Sequence, residues 1–373
     1  MKRWISILLC AALLLAVAAC TTKQPNPSSV GESSVASEDV SSEPTGGQSS
    51  TTRVGNKMVL YTWISMIPQT VLDDFKEETG IEVDYRTFDR ESVMVSRIDA
   101  GRSYDYDLII ANDFTVKDVI ERELAQKLDR TQLPNWENIN PLYQGLELDP
   151  QDEYTVPYGA AVQSIVYAPA AVGKINGYAD LWSPILKDRL GLVPDAQVTM
   201  GMALKATGKS YGTIDKAAIE KAGEKLMELV PNVKVISDMD LPEQLVSGEI
   251  AAAVMYPTQA LAAMATNEEL ELVFPEEGTG FGVQEAFIPA KAEHVEEAHL
   301  FLNFLLRPEI AARCFEYLGL ASTNQAADGL LSEFYRPILS LPENYLEVEH
   351  LTPSDAQADF ETIWKEFRTN CEK

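Results

Sequence analysis

The sequence predicts an α/β protein built as two similar lobes. Short apolar stretches alternate with amphipathic ones in a strand–helix rhythm that begins near Lys57 and starts again after Pro157. The 373 residues, 46% hydrophobic and 8% aromatic, suffice for two ordinary domains with real cores. No internal repeat with a period of about 20–50 residues is visible, so a solenoid is not expected.

In the first half, Met58–Trp63 reads as a strand. Pro68 opens a helix that runs to Thr79 with Val71, Leu72 and Phe75 on one face, and Gly80 stops it. Ile81–Phe88 alternates as a strand and Glu91–Ala100 is helical. Tyr106–Ile110 is an apolar strand of the buried, parallel type, followed by a helix over Val116–Glu123. In the second half the expected strands are Ser164–Tyr167, Leu190–Val193, Val233–Ile236 and Ala251–Met255. The helices between and after them are expected at Ala179–Lys187, Met200–Thr207, Asp215–Val230 and Pro242–Ser247. Glu285–Ile288 is a last strand, before a long helical region from Val295 to Tyr317.

Two segments of different character precede this body. Lys2 and Arg3, the apolar run Trp4–Val17 and the small residues before Cys20 read as a secretory signal, too short for a membrane span. Val17-Ala-Ala-Cys20 resembles a bacterial lipobox, whose cysteine is lipidated and becomes the mature N-terminus. Ordinary secretion, with Cys20 as one small residue near the cut, is the alternative. Residues 21–56 are rich in Ser, Thr, Pro, Gly and Glu and hold no aromatic residue. They cannot bury enough apolar surface to offset the entropy of ordering, so a flexible tether is expected. The protein is therefore expected outside the cytoplasm, lipid-anchored to the outer face of the cytoplasmic membrane or in the periplasm.

A formal charge of −27 argues against nucleic acid as a partner and against direct adsorption to anionic lipid, leaving the N-terminal lipid as the membrane contact. It tilts the ligand only slightly towards cations. Cys314 and Cys371 could form one disulfide or remain thiols. His294, His299 and His350 show no metal-ligand spacing, and no metal or cofactor is expected. No Gly-x-Ser-x-Gly elbow, ordered Ser–His–Asp set or Cys–His pair stands out, so no enzyme is expected, though so acidic a chain always offers carboxylate pairs.

Leu60-Tyr-Thr-Trp63, Ile67-Pro68 and the run from Val71 through Phe75 and Gly80 to Val83 resemble the opening of bacterial extracellular solute-binding proteins. The nearest subgroup is the spermidine/putrescine-binding proteins of ABC importers. Tyr106–Ile110, Tyr154–Tyr158, Asp180-Leu-Trp182, Pro275–Gly278, Ile288-Pro289 and Phe304–Pro308 follow in the same order, so the resemblance spans about residues 57 to 330. It implies a two-lobed periplasmic-binding-protein-like fold of type II, with the ligand in a cleft between lobes. Lobe one would comprise 57–160 with 284–330 and lobe two 161–283, with a helical tail, 331–373, packing across lobe two. A monomer would close on its small-molecule ligand and present it to permease subunits.

The resemblance also implies a cleft in which aromatic rings flank a methylene chain and carboxylates meet ammonium groups. Trp63 falls where the family presents a ring to the cleft, or else it belongs to the core. Asn112, Asp113 and Phe114 fall where the family has a serine-and-tyrosine cluster, although Asp113 also reads as an acid on an exposed loop. Asp195 matches a family acid, and equally suits the cap of the helix that follows. Tyr256 stands where the family has tryptophan.

Other positions depart from the family. Val198 replaces a second acid, Gly282 and Gln284 replace a Trp-x-Asp pair, and Leu320 replaces a tyrosine. Gln284 and Glu285 are kept as ligand candidates, although strand neighbours point to opposite faces. Removing one partner of a buried ion pair costs ~3–5 kcal/mol, while a micromolar binder has only about 8 kcal/mol in all. The expected cargo is a polyamine or related small amine. The alternatives are another small nitrogenous solute, or an exported enzyme or sensor on the same fold.

Overall fold

The computed structural model describes residues 56–342, 348–350 and 356–372. The expected signal, Cys20 and the tether up to residue 55 lie outside the described residues. In chain order the strands are β1 (Lys57–Thr62), β2 (Glu82–Thr87), β3 (Leu108–Asn112), β4 (Thr155–Val162), β5 (Ser164–Tyr167) and β6 (Leu190–Leu192). They continue with β7 (Val233–Ile236), β8 (Ala252–Met255), β9 (Glu271–Val273), β10 (Thr279–Phe287) and β11 (Val348–His350).

In the first sheet β1 pairs in parallel with β2 on one side and β3 on the other; β1 and β3 are the buried, apolar strands and β2 is a polar edge. β10 lies antiparallel to both β3 and β4. β4 takes one edge of β10. The opposite edge is shared: β3 pairs with residues 284–287, and β11 runs parallel to residues 279–281. The second sheet has the order β7-β6-β8-β5-β9. Its β6, β7 and β8 are mutually parallel, while β5 is antiparallel to its neighbours.

Helical periodicity supplies the layers on either side. The helices Gln69–Thr79, Val295–Leu305 and Pro308–Leu318 bury Val71, Phe75, Phe301 and Ile310 against one face of the first sheet. Phe75 lies 4.8 Å from Phe301, ring centre to ring centre. Glu91–Arg97 and Asp113–Glu121 cover the other face through Met94, Val95, Val116 and Val119. Ala196–Ala206, Lys216–Met227 and Gln357–Cys371 pack on the second sheet.

Most differences from the expected elements have a local cause. Val295–Tyr317 is two helices because Pro308 lacks an amide hydrogen and opens a new one as its first residue. Ala179–Lys187 is two short 3-10 turns, Tyr178–Trp182 and Pro184–Leu186, separated by the same kind of proline. The expected lobe boundary at 283/284 falls inside β10, one nine-residue strand. Gln163 and the segment 274–278 are the actual crossings between sheets. The tail is divided as well: Phe360, Trp364 and Phe367 enter the second core, whereas β11 joins the first sheet. Cys314 is buried in the first core and Cys371 lies beside the second, both as free thiols.

A chain of hydroxyls ties both crossings to the second lobe. Tyr211 Oη lies 3.0 Å from Tyr178 Oη, which lies 3.0 Å from Thr279 Oγ1, and Thr279 donates to the Gln163 carbonyl at 2.8 Å. Gly201 makes room for the Tyr211 ring, since a Cβ there would stand 1.7 Å from its Cε1. Gly201→Ala is therefore expected to cost about 1–3 kcal/mol through overpacking, read as a fall in melting temperature. An unchanged melting temperature would show that the ring moves aside freely.

Candidate functional site

Three strand-to-helix turns face one another across the gap between the sheets. Each places a polar residue at a helix N-cap, directly beyond the carboxyl end of a strand, where open α/β sheets hold their ligands. Asn112 follows this pattern at the end of β3, Asp195 just beyond β6 and Tyr256 directly after β8. The cleft they border has a volume of ≈ 370 Å³. Asn112, Asp113, Phe114 and Gly282 line it from the first sheet, and Asp195 and Tyr256 from the second.

The two alternatives for Asp195 turn out to be compatible. Its Oδ1 accepts the Val198 amide at 2.9 Å, capping the helix, while Oδ2 accepts the Tyr256 hydroxyl at 3.2 Å. Burial first, then the charges of Asp195 and Asp238, hold the Tyr256 phenol well above its ordinary value, so it remains a neutral donor. The Asp195 carboxylate is half-buried and has lone pairs left for a further donor.

On the facing side Asp113 is 2% exposed, and its bonds are made within the chain. Oδ1 accepts the Phe114 amide at 2.7 Å, and Oδ2 accepts the Val283 amide at 2.7 Å and His350 Nε2 at 2.8 Å. Phe114 projects into the cleft at 37% exposure. The side chains of Asn112 and Gln284, opposite each other in the β3–β10 pairing, hydrogen-bond together. The backbone amide of Asn112 donates to Glu91 Oε1 at 2.6 Å.

Three sequence candidates do not line the cleft: Trp63, Glu285 and Gln284, the last bonded to the lining residue Asn112. Trp63 is not among the residues that line the cleft. Its ring packs 4.6 Å from Phe88, and its carbonyl accepts the Tyr85 hydroxyl at 2.7 Å. Glu285, expected among the ligand residues, is 1% exposed and does not line the cleft either. The pairing with β4 shifts register between Gln284 and Glu285, but β10 itself is continuous and strand alternation separates the two side chains. Burial above all, then the Asp113 charge, drives the Glu285 carboxyl well above its ordinary value.

Leu320, one of the departures, lines the cleft and packs over Gly159, where a Cβ would come within 2.9 Å of the leucine. Sequence reasoning missed Gln163, Asp238 and His350. Gln163 is 1% exposed and lines the cleft, and its Oε1 has no partner among the described residues. A glutamine between two strands on a crossing segment was a usable signal. His350 offered none, because its place depends on the long-range pairing of β11.

This geometry is a binding cleft between two α/β lobes, and the chain belongs to the bacterial extracellular solute-binding protein family, whose profile matches residues 70–335. The spermidine/putrescine-binding periplasmic protein of Salmonella typhimurium is 33% identical over 277 residues, covering 74% of this chain and 80% of that protein. The Escherichia coli protein of the same name is 31% identical over 279 residues, with 74% and 80% covered. A crystal structure of a Streptococcus pneumoniae spermidine/putrescine ABC transporter substrate-binding protein superposes with a TM-score of 0.77 at 27% identity. It covers 85% of this chain and 100% of that one. The fold is the two-lobed periplasmic-binding-protein type.

The state of Glu285 has a measurable consequence. Its folded-state pKa lies above the unfolded one, so between those two values the folded chain holds a proton that the unfolded chain has released. The stability tied to that proton is complete at acid pH and is lost as pH rises towards the folded value. Glu285→Gln mimics the neutral acid, so its melting temperature relative to wild type should climb as pH rises above the ordinary carboxyl range. A difference that stays flat or shrinks would show that Glu285 is ionised in the fold.

Proposed function

We propose that the protein is the extracytoplasmic substrate-binding subunit of an ABC importer and captures a small amine of the polyamine class in the cleft between its lobes. The observation that carries this reading is the Asp195–Tyr256 pair. A carboxylate with free lone pairs is held in place by a helix cap and a phenol, across a cleft from the exposed ring of Phe114. An ammonium can bond to the carboxylate while its methylenes lie on rings. The names of the relatives point to the same chemical class. Asn112, bonded to Gln284, supports the first-lobe wall, and Trp63 packs outside it. Delivery to permease subunits follows from the importer role, and closure of the lobes supplies the shape they would recognise.

Spermidine or putrescine at a hundredfold excess over its Kd should stabilise the purified protein by ~2.7 kcal/mol, visible as a raised melting temperature. No shift with either amine, alongside a shift with another class of solute, would overturn the cargo. Asp195→Asn keeps a good helix cap but removes the charge. It should weaken amine binding roughly ten- to hundredfold, the worth of one hydrogen bond to a charged group, with little change in melting temperature. Equal affinity would place the ammonium elsewhere.

The lipobox-like ending at Cys20 supports anchorage by lipid at the N-terminus. Among the described residues no helix is long and apolar enough to cross a membrane. Cys20→Ser should move the full-length protein from the membrane fraction into the soluble fraction. Retention at the membrane would point to another anchor.

A further inference from the structure

The strand β11 meets β3 end to end along one edge of β10. β3 runs antiparallel to β10 and finishes with Asn112 opposite Gln284; β11 runs parallel to it and finishes with His350 opposite Phe281. The two carboxyl ends therefore converge on Gly282 and Val283. Asp113 begins the helix on one side of this seam and His350 ends the strand on the other, and they bond across it at 2.8 Å. Because a carboxylate only accepts, the imidazole is the donor. His350 is itself held in place. Its ring lies 5.2 Å from that of Phe281, and its side chain is 11% exposed.

The neighbouring residue fixes β11 to the other lobe. Glu349 pairs with Lys205, which is 6% exposed, accepts the Ser210 hydroxyl, and accepts the Tyr211 amide at 2.8 Å. Burial alone would raise the Glu349 carboxyl, but Lys205 and Ser210 outweigh it and hold it below its ordinary value. A three-residue strand is thus keyed into lobe two by one side chain and delivers the next to the cleft wall of lobe one.

We propose that His350 is a specificity-determining residue: by bonding Asp113 from within the chain, it withdraws that carboxylate from the ligand and leaves Asp195 as the acid available to an ammonium. This rests on the amine reading above and deepens it. Asp113 is 2% exposed and its Oδ2 is already shared by the Val283 amide and His350, so a second charged end adds little to affinity there. The cleft then discriminates weakly between a diamine and the monoamine of the same length.

The test is calorimetric binding of putrescine and butylamine to the wild-type protein and to His350→Ala, His350→Gln and Asp113→Asn. Removing the imidazole should raise the putrescine-to-butylamine affinity ratio by about tenfold or more, the worth of one hydrogen bond to a charged group. Glutamine, which keeps a donor, should leave the ratio near the wild-type value. Asp113→Asn disturbs the first-lobe wall and lowers both affinities together, but it should leave the putrescine-to-butylamine ratio within about threefold of wild type, because that carboxylate is already engaged within the chain. An unchanged ratio in His350→Ala, or a tenfold fall of the putrescine-to-butylamine ratio in Asp113→Asn, would overturn the proposal while leaving the amine reading intact. If His350→Ala does not fold, the Asp113→Asn arm decides alone. A wild-type protein that binds neither amine nor any polyamine would remove the amine reading, and the proposal with it.

Discussion

The hydrogen bond from the Val283 amide to Asp113 is the constraint on which the geometry of the cleft depends. β10 is paired along most of its length, but at Gly282 and Val283 neither β3 nor β11 reaches its shared edge. A buried amide left unpaired there would carry a desolvation cost of about 1–3 kcal/mol. Asp113 fills that gap, and in doing so it fixes the start of its helix against β10. Asn112 and Phe114 are thereby aimed at the cleft, and the same carboxylate receives the end of β11. One acid thus serves as strand partner, as anchor of the first-lobe wall and as docking point for the tail.

The two walls of the cleft therefore carry acids in opposite condition. On the first lobe Asp113 has three donors from its own chain, and Glu285 is buried in a state that disfavours its charge. On the second lobe Asp195 spends one oxygen on a cap and shares the other with a phenol. Its half-exposed carboxylate keeps capacity for a ligand. A net charge of −27 says nothing of this asymmetry, because most of those acids are solvated or paired on the surface. What matters for recognition is which few carboxylates face the cleft with lone pairs unspent.

The fold was legible in the sequence to the extent that local periodicity decides it. The helix from residue 69 to 79, its glycine stop with φ 73° at Gly80, and the parallel β1, β2 and β3 all follow from apolar spacing and chain-breaking residues. Prolines that open new helices were visible as residues, though not as breaks in the expected elements at 184 and 308. What was not read were β4, the short strands β9 and β11 and the full length of β10; β4 and β10 pair with each other across a long separation, and three-residue strands exist by virtue of their partners. The same limit applies to the site. Asp195 and Tyr256 follow buried strands and could be singled out. The engagement of Asp113 could not, because its partner lies 237 residues away. Glu285 shows the converse: strand alternation already separated it from Gln284, and the structure buries it.

On the proposed reading the second-lobe acid, not the first-lobe one, receives the cationic end of the solute. A crystal structure of the protein with putrescine bound tests this most directly. It should show an ammonium nitrogen within hydrogen-bond distance of Asp195, the methylene chain along Phe114, and the bond between Asp113 and His350 intact. An ammonium seated on Asp113 with His350 displaced, or a diamine bound outside the cleft, would contradict it.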